Sequence, residues 1–242
     1  MRAEELNTCR NAVVMPHEAL LKFASALSPT LPGSFLQQLD RSADLLSLPA
    51  KGTAGFPISD QRLVVFVAQG SVKLVAHVGA DREQIVAFAF AGEMIALPLA
   101  SHTPYELHAL SNCQLVAFRA NELAQSLNER AETADFLLEQ ITSALDRSRE
   151  RSVLLGRKTA QERIASFLLD MAERIGTPEG RTIYLVLPMS RREIADSLGL
   201  TIETVSRQLT ELRDRGAIHT MGRSGVVLMD RKDLARLSSR IR

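Results

Sequence analysis

The spacing of hydrophobic positions changes character several times along this chain. Up to about residue 40, HEALLKFASAL sets apolar side chains three and four apart, which predicts a helix opening at Pro16. Pro29, Pro32 and Gly33 interrupt it, and SFLQQLDRSADLL resumes the helical pattern. From about 45 to 118 the texture is that of strands: LVVFVAQGSVKLVAHVG, QIVAFAFAGEMIALPLA and ELHALSNCQLVAF, punctuated by Gly70 and Gly79. Short strands joined by tight turns predict an antiparallel sandwich or barrel, with VGADRE as a hairpin tip. Their long apolar stretches predict strands buried on both faces or alternating with small residues.

Between 120 and 155 there is neither Pro nor Gly, and Asn121 is a candidate N-cap. Ala134, Leu138, Ile141, Leu145, Ser148, Ser152 and Leu155 alternate in steps of four and three, an a/d seam. One helix of about 36 residues, some 54 Å long, is predicted at about 1.5 Å per residue. That outruns a small domain's core, so the seam is expected to pack on a second copy of itself. Gly156 and the polar GRKTAQ predict a hinge. A last domain follows, with a helix over 159–175, a break at GTPEG, a strand TIYLVL, two short helices and a terminal hairpin.

The two short helices carry the most specific pattern. In SRREIADSLGLTIETVSRQL, Ser190 followed three residues later by Glu193 is a capping box. Ile194, Ala195 and Leu198 share one face. Gly199 ends the helix in a left-handed turn, Leu200 plugs that turn, and Thr201 caps the next helix. Val205, Leu209 and Leu212 form its buried side, leaving Thr201, Glu203, Thr204, Ser206, Arg207 and Gln208 as the predicted outward positions. Such a helical hairpin is the unit that reads a DNA major groove, where base edges present donors and acceptors. Arg207 can pair bidentately with guanine O6 and N7, and Glu203 can accept from a cytosine or adenine amino group. Ser206 can meet a thymine or a base edge. Arg192, Thr201 and Thr204 suit phosphates, which position without specifying, and Arg191 adds charge beside them. Gly222 and Gly225 then bracket a turn, a predicted wing with Arg223 at its tip.

Charge agrees with this placement. Residues 157–242 carry 16 Lys and Arg against 11 Asp and Glu, whereas the rest of the chain carries 13 against 17. A basic last third fits a polyanionic partner there. No apolar run approaches the length of a membrane span, and MRAEELNTCRNAVV lacks a secretory apolar core, so a cytoplasmic protein is expected.

Barrel, long helix and winged helix-turn-helix together resemble the family of the cyclic-AMP receptor protein and the fumarate–nitrate reductase regulator. The resemblance covers nearly the whole chain and is sharpest in LPMSRREIADSLGLTIETVSRQLTELRDRGAI, whose ETVSR core looks like the fumarate–nitrate and FixK branch. It implies an α+β fold: a cyclic-nucleotide-binding-like β-barrel (jelly roll) over 1–119, a dimerisation helix over 120–156 and a winged helix-turn-helix over 157–242. It further implies a homodimer that binds double-stranded DNA and contacts RNA polymerase, more often as activator than repressor. Carried over, Glu203, Ser206 and Arg207 read TTGAT-type inverted half-sites.

On the effector side the chain departs from the family's better-known patterns. Gly92-Glu93 is followed by SHTPYELHA, which lacks the arginine that grips a cyclic nucleotide's phosphate, so cyclic AMP is not expected. Cys9 and Cys113 are too few for a four-cysteine iron–sulfur cluster, although either is a candidate redox thiol. His77, His102 and His108 leave haem open but form no recognisable ligand pattern. The expected cofactor is therefore none; the alternative is a redox-, haem- or small-ligand-responsive barrel. An appended enzyme is disfavoured, because the chain has no nucleophile elbow, P-loop, GxGxxG or HExxH motif, and Asp81 and Glu83 read as solvated charge at a turn.

Overall fold

The computed structural model describes residues 16–29, 31–55, 62–79, 82–97, 103–127 and 133–238. The chain divides into two compact units, 1–144 and 145–242.

In the first unit, helices α1 (Pro16–Leu27) and α2 (Gly33–Ser42) precede β1 (Ala43–Leu48) and β2 (Thr53–Ala54). There follow β3 (Leu63–Gln69), β4 (Ser71–His77), β5 (Glu83–Phe90), β6 (Met94–Leu97), β7 (Tyr105–Ala109) and β8 (Cys113–Arg119). They form two antiparallel sheets of four strands, ordered β1-β8-β3-β6 and β2-β7-β4-β5. The strand pattern predicts an antiparallel sandwich or barrel, and the two sheets are the jelly roll that the family resemblance implies. The apolar runs have two faces because side chains alternate across a strand. Val65 and Val67 of β3, with Leu115 and Ala117 of β8, enter the core between the sheets. Phe66, Val116 and Phe118, one step out of phase, pack with Phe23 of α1 and with Phe35 and Leu39 of α2. Phe23 is tilted against both Phe66 and Phe118, with ring centroids 5.1 and 4.9 Å apart.

One expectation for this part of the unit is corrected. The helix resumed at SFLQQLDRSADLL stops at Ser42, and ADLLSL is strand β1, paired with β8 over its whole length. Leu46 and Leu48 face one core, Ala43 and Leu45 the other, an alternation that only the two-sided sheet rewards. The turn at Gly70, between β3 and β4, carries the chain from one sheet to the other with φ 87°. A Cβ there would collide with the Asn112 carbonyl oxygen and lie 2.8 Å from Cys113 Sγ, so glycine is required. VGADRE does join the paired strands β4 and β5, although Ala80 and Asp81 lie outside the described residues.

The expected 36-residue helix is two helices, α3 (Ala120–Leu127) and α4 (Ala134–Arg157); 128–132 lie outside the described residues. Asn121 sits inside α3 rather than capping it. Gly156 lies within α4, and the break comes at Lys158 and Thr159. The division between the units also falls within α4.

The second unit continues with α5 (Ala160–Ile175), β9 (Thr177–Glu179), β10 (Thr182–Val186), α6 (Arg191–Leu198) and α7 (Ile202–Asp214). It ends with β11 (Ile218–Met221), β12 (Gly225–Leu228) and α8 (Arg231–Leu237). The break at GTPEG contains a short strand, β9, which pairs with β10. Helix α8 was not anticipated, although Asp230 caps it through the Lys232 and Asp233 amides. Ile164, Leu168, Leu185, Val205, Leu212, Ile218, Leu228 and Leu234 make the core of this unit. None of the described helices is long and apolar enough to cross a membrane.

Candidate nucleic-acid interface

Local chemistry builds the α6–α7 hairpin as its sequence requires. The Glu193 amide donates to Ser190 Oγ at 3.3 Å while the Ser190 amide donates to Glu193 Oε2 at 2.7 Å, closing the capping box. Gly199 ends α6 at φ 61°, ψ 43°, and the Leu200 amide donates back to the Ala195 carbonyl at 3.0 Å. The left-handed conformation disfavours any residue with a Cβ. Thr201 Oγ1 accepts from the Thr204 amide at 3.2 Å and caps α7. Each such cap contributes about 1 kcal/mol. Ala195, Val205 and Leu212 are essentially inaccessible, and Leu198 and Leu209 are buried beside them. Leu200 is only half-buried at the turn.

With that side committed to the core, α7 shows Glu203 and Arg207 to solvent, and Thr204 and Ser206 are half-exposed. Gln208 is the exception among the expected outward residues. It is buried, and its Oε1 makes no hydrogen bond. Its spacing explains this, for 205, 208, 209 and 212 follow the i, i+3, i+4, i+7 stripe of a packed face.

The Glu203 carboxyl is held below the ordinary carboxylate range, first by its own backbone amide and then by the Thr201 hydroxyl. It is ionised at neutral pH and acts only as an acceptor. Arg207 Nε leans toward Glu211 Oε1 at 4.0 Å, one turn on, rather than toward Glu203. A contact that long in solvent holds a guanidinium weakly and leaves its fork available. Arg191 Nη1 donates to Ser206 Oγ at 3.3 Å, linking the two helices on the exposed side, and Arg192 is exposed beside it. The Thr201 and Thr204 hydroxyls lie 3.1 Å apart at the start of α7. In the wing, β11 pairs antiparallel with β12; Gly222 turns at φ 60° and Arg223 is exposed at the tip.

Arg163 of α5 is a positioning residue that the sequence reading missed. Its Nη1 donates to the Leu198 carbonyl at 2.9 Å, its Nη2 to the Leu155 carbonyl at 2.9 Å, and its Nε to the Lys158 carbonyl at 3.0 Å. One guanidinium thus ties the end of α4, the following break and the end of α6. Nothing in the sequence marks it, since its partners are all backbone.

Other candidates are distributed through the chain. Leu138, Ile141, Leu145, Ser148 and Ser152 are exposed on α4, and no residue of that helix is buried. Cys113 is buried, with its thiol 3.1 Å from the Ser71 carbonyl and 3.0 Å from the Ser111 carbonyl. Burial pushes the thiol's pKa up, and the hydrogen bonds offset only part of that. This is the opposite of the exposed, electropositive setting that makes a reactive thiolate, so Cys113 is corrected from candidate redox thiol to core residue. Cys9 and His102 lie outside the described residues. His77 and His108, by contrast, are brought together with Glu106, with ligand atoms within 4.8 Å of one another.

Residues 162–237 match the Crp-like helix-turn-helix domain. The chain is 41% identical over 177 residues to the nitrogen fixation regulation protein FixK of Azorhizobium caulinodans, covering 73% of this chain and 71% of that one. It is 34% identical over 208 residues to a probable transcriptional activator of Rhizobium leguminosarum bv. viciae, covering 84% and 85%. Among solved structures, FixK2 from Bradyrhizobium japonicum superposes with a TM-score of 0.66 at 30% identity, over 81% of this chain and 96% of that one.

Proposed function

The chain belongs to the Crp/Fnr family of DNA-binding transcription regulators, within its FixK branch, and we propose that it reads a TTGAT-like inverted repeat as a homodimer. The observation that carries this reading is the exposed side of α7. Glu203, Ser206 and Arg207 share a helix whose other side is fixed by the capped, glycine-turned hairpin. A fixed helix presenting an ionised acceptor, a hydroxyl and a weakly held guanidinium is suited to base edges. Arg191, Arg192, Thr201, Thr204 and the wing's Arg223 supply phosphate contacts around it.

The exposed seam of α4 supports a two-fold dimer. Leu138, Ile141 and Leu145 expose 61, 64 and 47% of their surface at steps of three and four, continued by Ser148 and Ser152. Covering this row with the same row of a second chain removes apolar surface from water, and a two-fold dimer of helix-turn-helix units reads half-sites about 34 Å apart. The family likeness supports an activator that contacts RNA polymerase in the cytoplasm. The missing arginine after Gly92-Glu93 supports action without cyclic AMP.

The test is a gel-shift series of Arg207→Ala on operators permuted one base pair at a time. Loss of discrimination at one base pair per half-site, worth about 1–3 kcal/mol, is expected, with weak nonspecific binding retained. An equal loss on every sequence would refute base reading by this residue.

A further inference from the structure

The outer face of the sheet β2-β7-β4-β5 carries a cluster that the DNA-binding reading does not use. Glu106 and His108 stand two residues apart on β7 and so share a face. The register sets Thr53 opposite His108, Lys73 of β4 opposite His108 from the other side, and Glu83 of β5 opposite His77. Glu106 Oε2 is the focus, 2.9 Å from His108 Nε2 and 3.3 Å from His77 Nε2.

The outer ring nitrogens decide what faces that carboxylate. His108 Nδ1 lies 3.2 Å from Thr53 Oγ1, and His77 Nδ1 lies 3.6 Å from Glu83 Oε1. In the tautomer that carries the proton on Nδ1, both Nε2 atoms turn lone pairs toward Glu106 Oε2; in the other, His108 Nε2 donates to Glu106 and Thr53 donates to Nδ1. His77 Nε2 is buried and makes no hydrogen bond, so it is an orphaned polar atom aimed at the cluster. In the Nδ1-protonated tautomer, two nitrogen lone pairs and a carboxylate oxygen converge on one point and repel each other unless a proton or a metal ion lies between them. Metal-bound imidazoles have this arrangement, with the second ring nitrogen held by a carboxylate or other oxygen that fixes the tautomer.

We propose that His77, Glu106 and His108 form a binding site for a divalent first-row transition ion, with Glu83 and Thr53 orienting the two imidazoles. Donor atoms about 3.3 Å apart are what an ion bound at about 2.0–2.1 Å to nitrogen and oxygen requires. The observed separations, 2.9 and 3.3 Å to Glu106 with all three within 4.8 Å, approach this with small side-chain movements. Two imidazoles and one carboxylate disfavour calcium and magnesium, which take oxygen ligands. The same donor set serves zinc with a water as fourth ligand and non-haem ferrous iron with open positions. The side chains of His77, His108 and Glu106 keep 27, 23 and 46% of their exposure, although His77 Nε2 itself is buried.

The test uses the full chain stripped with a chelator. Zinc is titrated in competition with a chromophoric chelator, cobalt serves as spectroscopic reporter, and ferrous iron is titrated anaerobically. One ion per chain is expected, with the visible bands of nitrogen- and oxygen-coordinated cobalt. Loss of about 100-fold or more in affinity is expected in His77→Ala/His108→Ala and in the shape-conserving Glu106→Gln. Zinc should raise the Tm of the parent chain and leave that of Glu106→Gln unmoved, a readout that does not depend on the double variant's folding. Tight binding of zinc, ferrous iron or both with these dependences supports the site and identifies the ion it prefers. Failure of all three ions to bind the parent chain, or binding that survives unchanged in Glu106→Gln, overturns it.

Discussion

At the residue scale, function and architecture rest on a few side chains whose partners are explicit. Arg163 satisfies three carbonyls at once, two of them at helix ends, where carbonyls lack intrahelical donors. Its replacement by Ala is expected to destabilise the 145–242 unit by about 2–3 kcal/mol, since hydrogen bonds to a charged group each contribute about 1.5–3 kcal/mol and water replaces part of the loss. Thermal unfolding measures the loss, and amide exchange in α6 should accelerate with it. An unchanged exchange pattern would show that the guanidinium is incidental to the hairpin's support. The same scale shows where side-chain type misleads. Gln208 is polar, yet it occupies the packed stripe of α7 with an unsatisfied Oε1. Position within the helical period decided its burial, and polarity did not.

At the element scale, α4 is the segment without a core of its own. Phe136 and Leu137 are partly buried against the first unit's core, while Leu138, Ile141 and Leu145 remain exposed. Leu138→Glu combined with Leu145→Glu puts like charges on both sides of a self-paired seam. Sedimentation should show a dimer in the parent chain shifted to monomer in this variant, with operator affinity falling in parallel and far-UV dichroism preserved. A variant that stays dimeric would remove α4 as the interface. The seam itself was legible from its spacing, but the length of the helix was not. An unbroken absence of Pro and Gly permits one helix from 120 to 155 without requiring it. Leu123 and Leu127 of α3 belong to the first unit's core, whereas no residue of α4 is buried.

At the scale of the whole molecule, the excess of basic residues in the last third makes binding a counterion-release process. Log affinity should fall linearly with log salt, with a slope of about −0.9 for each phosphate neutralised. If Arg223 reaches a phosphate in each half of a dimer, Arg223→Ala lowers the slope's magnitude by about 2 while leaving sequence preference intact. A slope unchanged from the parent chain would confine the wing to closing the β10–β12 sheet.

What the chain's order of residues determined alone is everything that depends on near neighbours. The Ser190–Glu193 box, the Gly199 turn, the Thr201 cap and the apolar stripe through Val205 and Leu212 all close within a few residues. Their energetics are therefore written in short spacings. Tertiary structure decided what depends on which strand lies beside which. ADLLSL became strand because β8 offered it a ladder and a core on each side. His77 met Glu106 and His108 because β4 pairs with β7. Alternation tells a strand which face to bury, but hydrogen-bond ladders accept many partners, and the choice among them is made by the collective packing of the two sheets.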